Sequence, residues 1–81
     1  MSSILFKGEK HKITTDGRTF FLYLRSIKNS SKDIWNLLSQ NTFEGEMYEE
    51  ALRDMKKILS AGIQEDEKIL KICESGFFKI A

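Results

Sequence analysis

The chain contains one histidine, His11, and one cysteine, Cys73, and nucleophilic or acid–base chemistry would have to begin with these. A cysteine nucleophile needs a neighbouring base and a third group that orients that base. His11 and Cys73 stand near opposite ends of the chain, and nothing in the residues around them forces them together. Cys73 shares helical spacing with Ile69, Leu70 and Ile72, the place of a small buried hydrophobe. His11 opens a β-branched run and reads as a strand residue near a sheet rim. A small hydrolase or transferase using His11 would require a carboxylate within hydrogen-bond reach in a concave site. The sequence has no Gly-x-Gly-x-x-Gly loop, no Walker loop and no His-Glu-x-x-His pair. A single cysteine excludes an internal disulfide framework and a Cys-rich zinc site. Glu65-Asp66-Glu67 lacks the alternating acids and bend glycine of a calcium loop, so it reads as a solvated helix start. No catalytic residue, metal or cofactor is therefore expected, and the chain reads as non-enzymatic.

Two surfaces offer binding chemistry instead. Lys12, Arg18, Phe21 and Tyr23 fall along one side of a hairpin over residues 11–24, with Lys7, Lys10 and Arg25 nearby. Cations beside exposed aromatics bind single-stranded nucleic acid by phosphate contact and base stacking. Glu46, Glu49, Glu50 and Asp54 follow one another on the surface of the most regular helix. Glu46/Glu50 and Glu50/Asp54 are like-charge pairs at i,i+4, a mildly costly arrangement that a partner would explain. Such an acidic face can occupy a basic groove on another protein, as an inhibitor would. A helix-turn-helix over residues 55–72, with Gly62 as turn, is rejected. Its second helix would present Glu65, Asp66 and Glu67 to the phosphates.

Composition bounds the remainder. With 81 residues, one compact domain spanning residues 1–81 is expected. The net charge of +1 hides a polarity: residues 1–32 balance at +5 and residues 33–81 at −4. A bipolar protein of this kind can be steered toward charged partners from either side. No apolar run approaches the about 20 residues of a membrane span, so no membrane partner is expected. Residues 1–10 lack the cationic start and apolar stretch of a signal peptide, which leads us to expect a cytoplasmic protein.

The expected fold is α+β: an N-terminal antiparallel hairpin or three-stranded sheet packed by two or three helices, with a C-terminal edge strand as an option. Asp16-Gly17 between β-branched and aromatic runs is a strong hairpin signal. A two-residue loop there pairs Thr15 with Arg18, Ile13 with Phe20 and His11 with Leu22. One face then carries Ile13, Phe20, Leu22 and Leu24, and the other Lys12, Thr14, Phe21 and Tyr23. Ile4-Leu5-Phe6 supplies a third strand, turned back through Gly8-Glu9-Lys10. Ser30-Ser31-Lys32-Asp33 fits a capping box, and the spacing predicts a short helix over residues 31–40 with Ile34, Trp35, Leu37 and Leu38 on its apolar side. Asn41-Thr42-Phe43-Glu44 signals a second start. The helix it opens carries Phe43, Met47, Ala51, Leu52, Met55, Ile58 and Leu59 at three- and four-residue spacing, and Gly62 ends it as a left-handed cap. Gly45 in its first turn fits either a close approach or a later helix start. Residues 64–75 read as a helix, the rival being a hairpin in which residues 68–74 turn at Ser75-Gly76 into Phe77–Ile80. In either case Phe77, Phe78 and Ile80 should dock.

The functional expectation is a small regulatory or accessory protein that binds another protein, with Glu46, Glu49, Glu50 and Asp54 as its contact face. The alternative is a nucleic-acid-binding module built on Lys12, Arg18, Phe21 and Tyr23. An open sheet edge also makes the chain a candidate homodimer.

Overall fold

The computed structural model describes residues 2–26 and 34–78. Its elements run β1 (Ser3–Lys7), β2 (His11–Thr15), β3 (Thr19–Ser26), β4 (Ile34–Thr42), α1 (Glu46–Leu59) and α2 (Glu65–Glu74). The strands form one antiparallel sheet in the order β1-β2-β3-β4. The α+β expectation holds, with one strand more than the three read from the sequence.

The period-two pattern of the hairpin decides which side of the sheet is core. Ile13, Phe20 and Leu22 are completely buried. They meet Ala51 and Met55 of α1, Ile69 and Ile72 of α2, and Phe77 and Phe78 beyond it. The helices therefore cover one face of the sheet. Phe20 is the hub: Tyr48 stacks on it at 5.0 Å and Phe43 meets it edge-on at 5.7 Å. The Tyr48 hydroxyl also shares a 2.8 Å hydrogen bond with Thr15 Oγ1, which ties α1 to β2. Lys68 of α2 donates to the Leu59 carbonyl at the end of α1, its Nζ 5.5 Å from the centre of the Phe6 ring.

The hairpin register differs from the expected one by two residues. Thr15 pairs with Phe20, Ile13 with Leu22 and His11 with Leu24. Asp16 explains the wider turn, because its Oδ1 accepts the amide protons of both Arg18 and Thr19. Those two amides, Thr19 first, hold the Asp16 carboxyl below its usual range. A side chain that competes for backbone donors displaces the two-residue turn. A shift of two leaves every side chain on its expected face.

Residues 34–40, expected within a helix, belong instead to β4. Leu22 pairs with Ser39 and Tyr23 with Leu37, so Leu38 is an extra residue, a bulge. That extra residue produces the i, i+1, i+3, i+4 apolar spacing that imitates a helix. The eight-residue edge of β3, rich in aromatics and β-formers, is satisfied by a strand partner, and tertiary pairing overrides the local pattern. The expected capping box at residues 30–33 lies outside the described residues. Thr42 ends β4, and the helix expected from Asn41 starts only at Glu46, with Gly45 as its N-cap. Met47, assigned to the apolar side of that helix, is exposed.

Gly62 is not the left-handed cap of α1, whose C-cap is Ser60 in a right-handed conformation. The left-handed glycine that ends a helix is Gly76, at φ 85°, after α2. There the Phe77 amide donates to the Ile72 carbonyl and the Gly76 amide to that of Cys73, a Schellman closure. It turns the chain so that Phe77 and Phe78 enter the core. The helical reading of residues 64–75 thus stands and the rival hairpin does not. Phe77 and Phe78 dock as expected but not as a strand, and Ile80 lies outside the described residues. The side-chain amide of Asn41 on β4 donates to the Phe77 carbonyl at 3.0 Å, which fixes that turn against the sheet.

Candidate functional site

Both helices pack on the Ile13–Phe20–Leu22 side, so no described helix covers the opposite sheet face, on which Phe21, Tyr23 and Trp35 are half-buried and Thr14 is buried among its neighbours. The registers place its side chains in rows. One row runs Lys7, Lys12, Tyr23, Leu37 and another Ile4, Thr14, Phe21, Gln40, with Arg25 beside Trp35 and Thr19 beside Thr42. Thr19 and Thr42 join their hydroxyls at 2.7 Å. Lys12 Nζ stands 5.0 Å from the centre of the Tyr23 ring and 4.9 Å from that of Trp35, so one ammonium engages two aromatic faces.

The charge on this face has one sign. The four strands contain Lys7, Lys12 and Arg25 and no Asp or Glu at all. Along the chain the strands are flanked by Glu9 and Asp16, in the turns at either end of β2, by Glu44 after β4, and by Asp33, which precedes β4 and lies outside the described residues. Lys7 and Lys12 are directly opposite each other in the β1–β2 register. Like charges at that position are destabilising, and nothing in the strands neutralises them. Arg25 reaches back to donate from Nη1 to the Glu9 carbonyl at 3.3 Å.

Of the residues expected on a nucleic-acid face, the structure brings Lys12 and Tyr23 together and sets Phe21 one row away. Arg18 is exposed in the β2–β3 turn, at the far end of the strands from Lys12. Trp35 was missed, because its neighbours read as a helix; the only strand-like signal there is the short alternation Trp35-Asn36-Leu37. The acidic set lies elsewhere. Glu46, Glu49, Glu50 and Asp54 are all exposed on α1, whose buried side is Ala51 and Met55. None of the four is ion-paired among the described residues.

His11 does find a carboxylate. Its Nδ1 lies 2.8 Å from Glu65 Oε2, and both side chains are largely buried. The same carboxylate accepts the amide protons of Glu9 at 2.6 Å and Lys10 at 2.8 Å. Burial raises the Glu65 pKa, but the His11 contact and the amides of Lys10 and Glu9 outweigh it, so the net shift is downward. A carboxylate held ionised by three donors is a poor proton acceptor. The adjoining recess, about 210 Å³, is lined by Glu9, Lys10, Gln64, Glu65 and Asp66, with no hydroxyl or thiol nucleophile among them. Donor atoms of His11, Glu65 and Asp66 lie within 4.8 Å of one another. The Glu65 oxygens already serve the turn, and Asp66 stands 3.7 Å from Lys10 Nζ, so the cluster acts as a clasp between α2 and the β1–β2 turn. Cys73 is half-buried on α2, and burial pushes its thiol pKa up, away from the thiolate a nucleophile needs. Among the described residues no helix is long and apolar enough to cross a membrane.

Comparison with known protein families, with curated proteins and with solved structures gives no match.

Proposed function

We propose that the protein is a non-enzymatic binding module whose sheet face opposite the helices takes single-stranded nucleic acid. One observation carries this reading: Lys7 and Lys12 stand in register beside Tyr23 and Trp35 on a face whose strands hold no carboxylate. An anionic polymer relieves the lysine repulsion. Unstacked bases then use the Tyr23, Trp35 and Phe21 rings once the Lys12 ammonium moves onto phosphate. The chemistry is sequence-tolerant, since every base offers a π-face and no base-edge reader is needed.

The test is fluorescence anisotropy with a generic single-stranded oligonucleotide over a salt series. Three cations on the face give a slope of log K against log salt of about −2. Tyr23→Ala and Trp35→Ala should each weaken binding roughly 5- to 150-fold, the usual range for losing one stacking ring. No binding at low salt, or binding that survives both substitutions, removes the reading.

A second reading rests on α1. Its four exposed carboxylates, Glu46, Glu49, Glu50 and Asp54, which form no ion pair among the described residues, suit a basic groove on another protein, which the module would block. Here a partner captured by the wild-type chain should be lost on reversing Glu46, Glu49 and Glu50 to Lys. Capture that survives the reversal counts against the helix face.

A further inference from the structure

The sheet has two edges, and they are not alike. Both edge strands carry a bulge, but β1 also ends the sheet on one side with a charged residue, Lys7, a device that discourages strand addition. β4 ends it on the other with nine residues, none charged and none proline. Every other element carries at least one ionisable side chain. Along β4, Ile34 and Leu37 are 50% exposed and Leu38 is 43% exposed. An edge strand also leaves half of its backbone donors and acceptors pointing outward, and no described strand pairs with them.

We infer that β4 is a self-association edge, whose occupant is the β4 of a second copy of this chain. Three features select a second copy over a different partner. A neutral strand is complementary to itself, whereas a foreign partner chosen by this bipolar molecule would be expected to exploit charge. Two β4 strands running antiparallel about a two-fold axis set apolar Ile34, Leu37 and Leu38 of one copy near those of the other, so each buries the other's exposed carbon. The guarded β1 edge stops the pairing from propagating, so the assembly closes at two. The bulge at Leu38 interrupts the strand near its middle, dividing the pairing into two short stretches.

The contact is modest. Stable interfaces bury about 1,200–2,000 Å² in total, and one strand pair with three apolar side chains from each copy falls below that range. Association should therefore be concentration-dependent, dissociating in the micromolar range or above. Its consequence is a continuous eight-stranded sheet with the two faces opposite the helices side by side. The inference stands apart from the nucleic-acid reading, since it uses a different edge and is tested without nucleic acid.

The experiment is analytical ultracentrifugation of the full chain across a concentration series, with hydrogen exchange of the β4 amides at both ends of the range. A dimer that forms with rising concentration, with β4 amide protection rising in parallel, supports the inference. Leu38→Lys and, independently, Ile34→Lys should return the protein to monomer with its circular dichroism unchanged. Leu70→Lys, which places the same charge on the exposed side of α2, should leave the dimer intact. A strict monomer at every concentration overturns the inference. So does a dimer indifferent to both β4 substitutions, and so does one that Leu70→Lys dissolves equally well.

Discussion

Glu65, at the first position of α2, holds the His11 imidazole at 2.8 Å while its two oxygens also take the Glu9 and Lys10 amides. One side chain thus closes the β1–β2 turn and fixes the start of α2 to it. Glu65→Gln should cost about 1–3 kcal/mol, the usual range for losing hydrogen bonds to a charged acceptor, read as a drop in the urea midpoint at neutral pH. The pH dependence follows from the lowered Glu65 pKa. The folded chain holds this proton more weakly than the unfolded chain, so the clasp contributes fully above the ordinary glutamate range, about 4.3. Its contribution is lost as the pH falls from there through the folded value. Wild type should therefore lose more stability than Glu65→Gln between pH 6 and pH 3. Parallel acid profiles for the two proteins would show that Glu65 contributes no net clasp.

Gly8 makes the clasp possible by its lack of a side chain. A Cβ built there would collide with the Glu65 carboxylate and press on the Phe6 ring. Gly8→Ala should force the carboxylate out of the turn and lower stability by an amount comparable to Glu65→Gln. In the double variant the two effects should overlap rather than add, because both remove one interaction. Additive losses in denaturant melts would place the Gly8 effect elsewhere.

The faces of the hairpin were legible because alternation survives a register error. Ile13, Phe20 and Leu22 were assignable to one common face from parity alone, and Asp16 moved the register by two without exchanging faces. The amphipathic helices were legible for a similar reason: Ala51, Met55, Ile69 and Ile72 keep their helical spacing over several turns. β4 was not. A single bulge residue, Leu38, rewrites alternation as helical spacing, and only the need of β3 for a partner decides between them. The candidate site inherits this division. Lys12, Phe21 and Tyr23 followed from the hairpin, whereas Trp35 could not be placed beside Lys12 without knowing that its segment is a strand. The His11–Glu65 clasp joins residues that are far apart in the chain, and no local pattern reports such a contact.

Cys73 packs against the core from the side of α2, and burial raises its thiol pKa. Alkylation of the native protein at pH 8 should then be slower than that of the same protein in denaturant, because less thiolate is present and the sulfur is partly covered. Rates that coincide in the two states would mean that α2 opens freely on the timescale of the reaction, which conflicts with the Schellman closure at Gly76.

Lys7 separates a binding role from a structural one. It faces Lys12 across β1 and β2, and it is exposed. If the pair is held together for an anionic ligand, removing one charge should stabilise the free protein while weakening the complex. Lys7→Gln should raise the unfolding free energy by about 0.2–1 kcal/mol, the scale of one cross-strand charge pair. The same substitution should flatten the salt dependence of oligonucleotide binding by about 0.7 in slope, the share of one phosphate contact on a single strand. A purely structural lysine gives the opposite pair of signs: lower stability and an unchanged slope. The two measurements made on one variant therefore decide whether the repulsion between Lys7 and Lys12 serves a ligand.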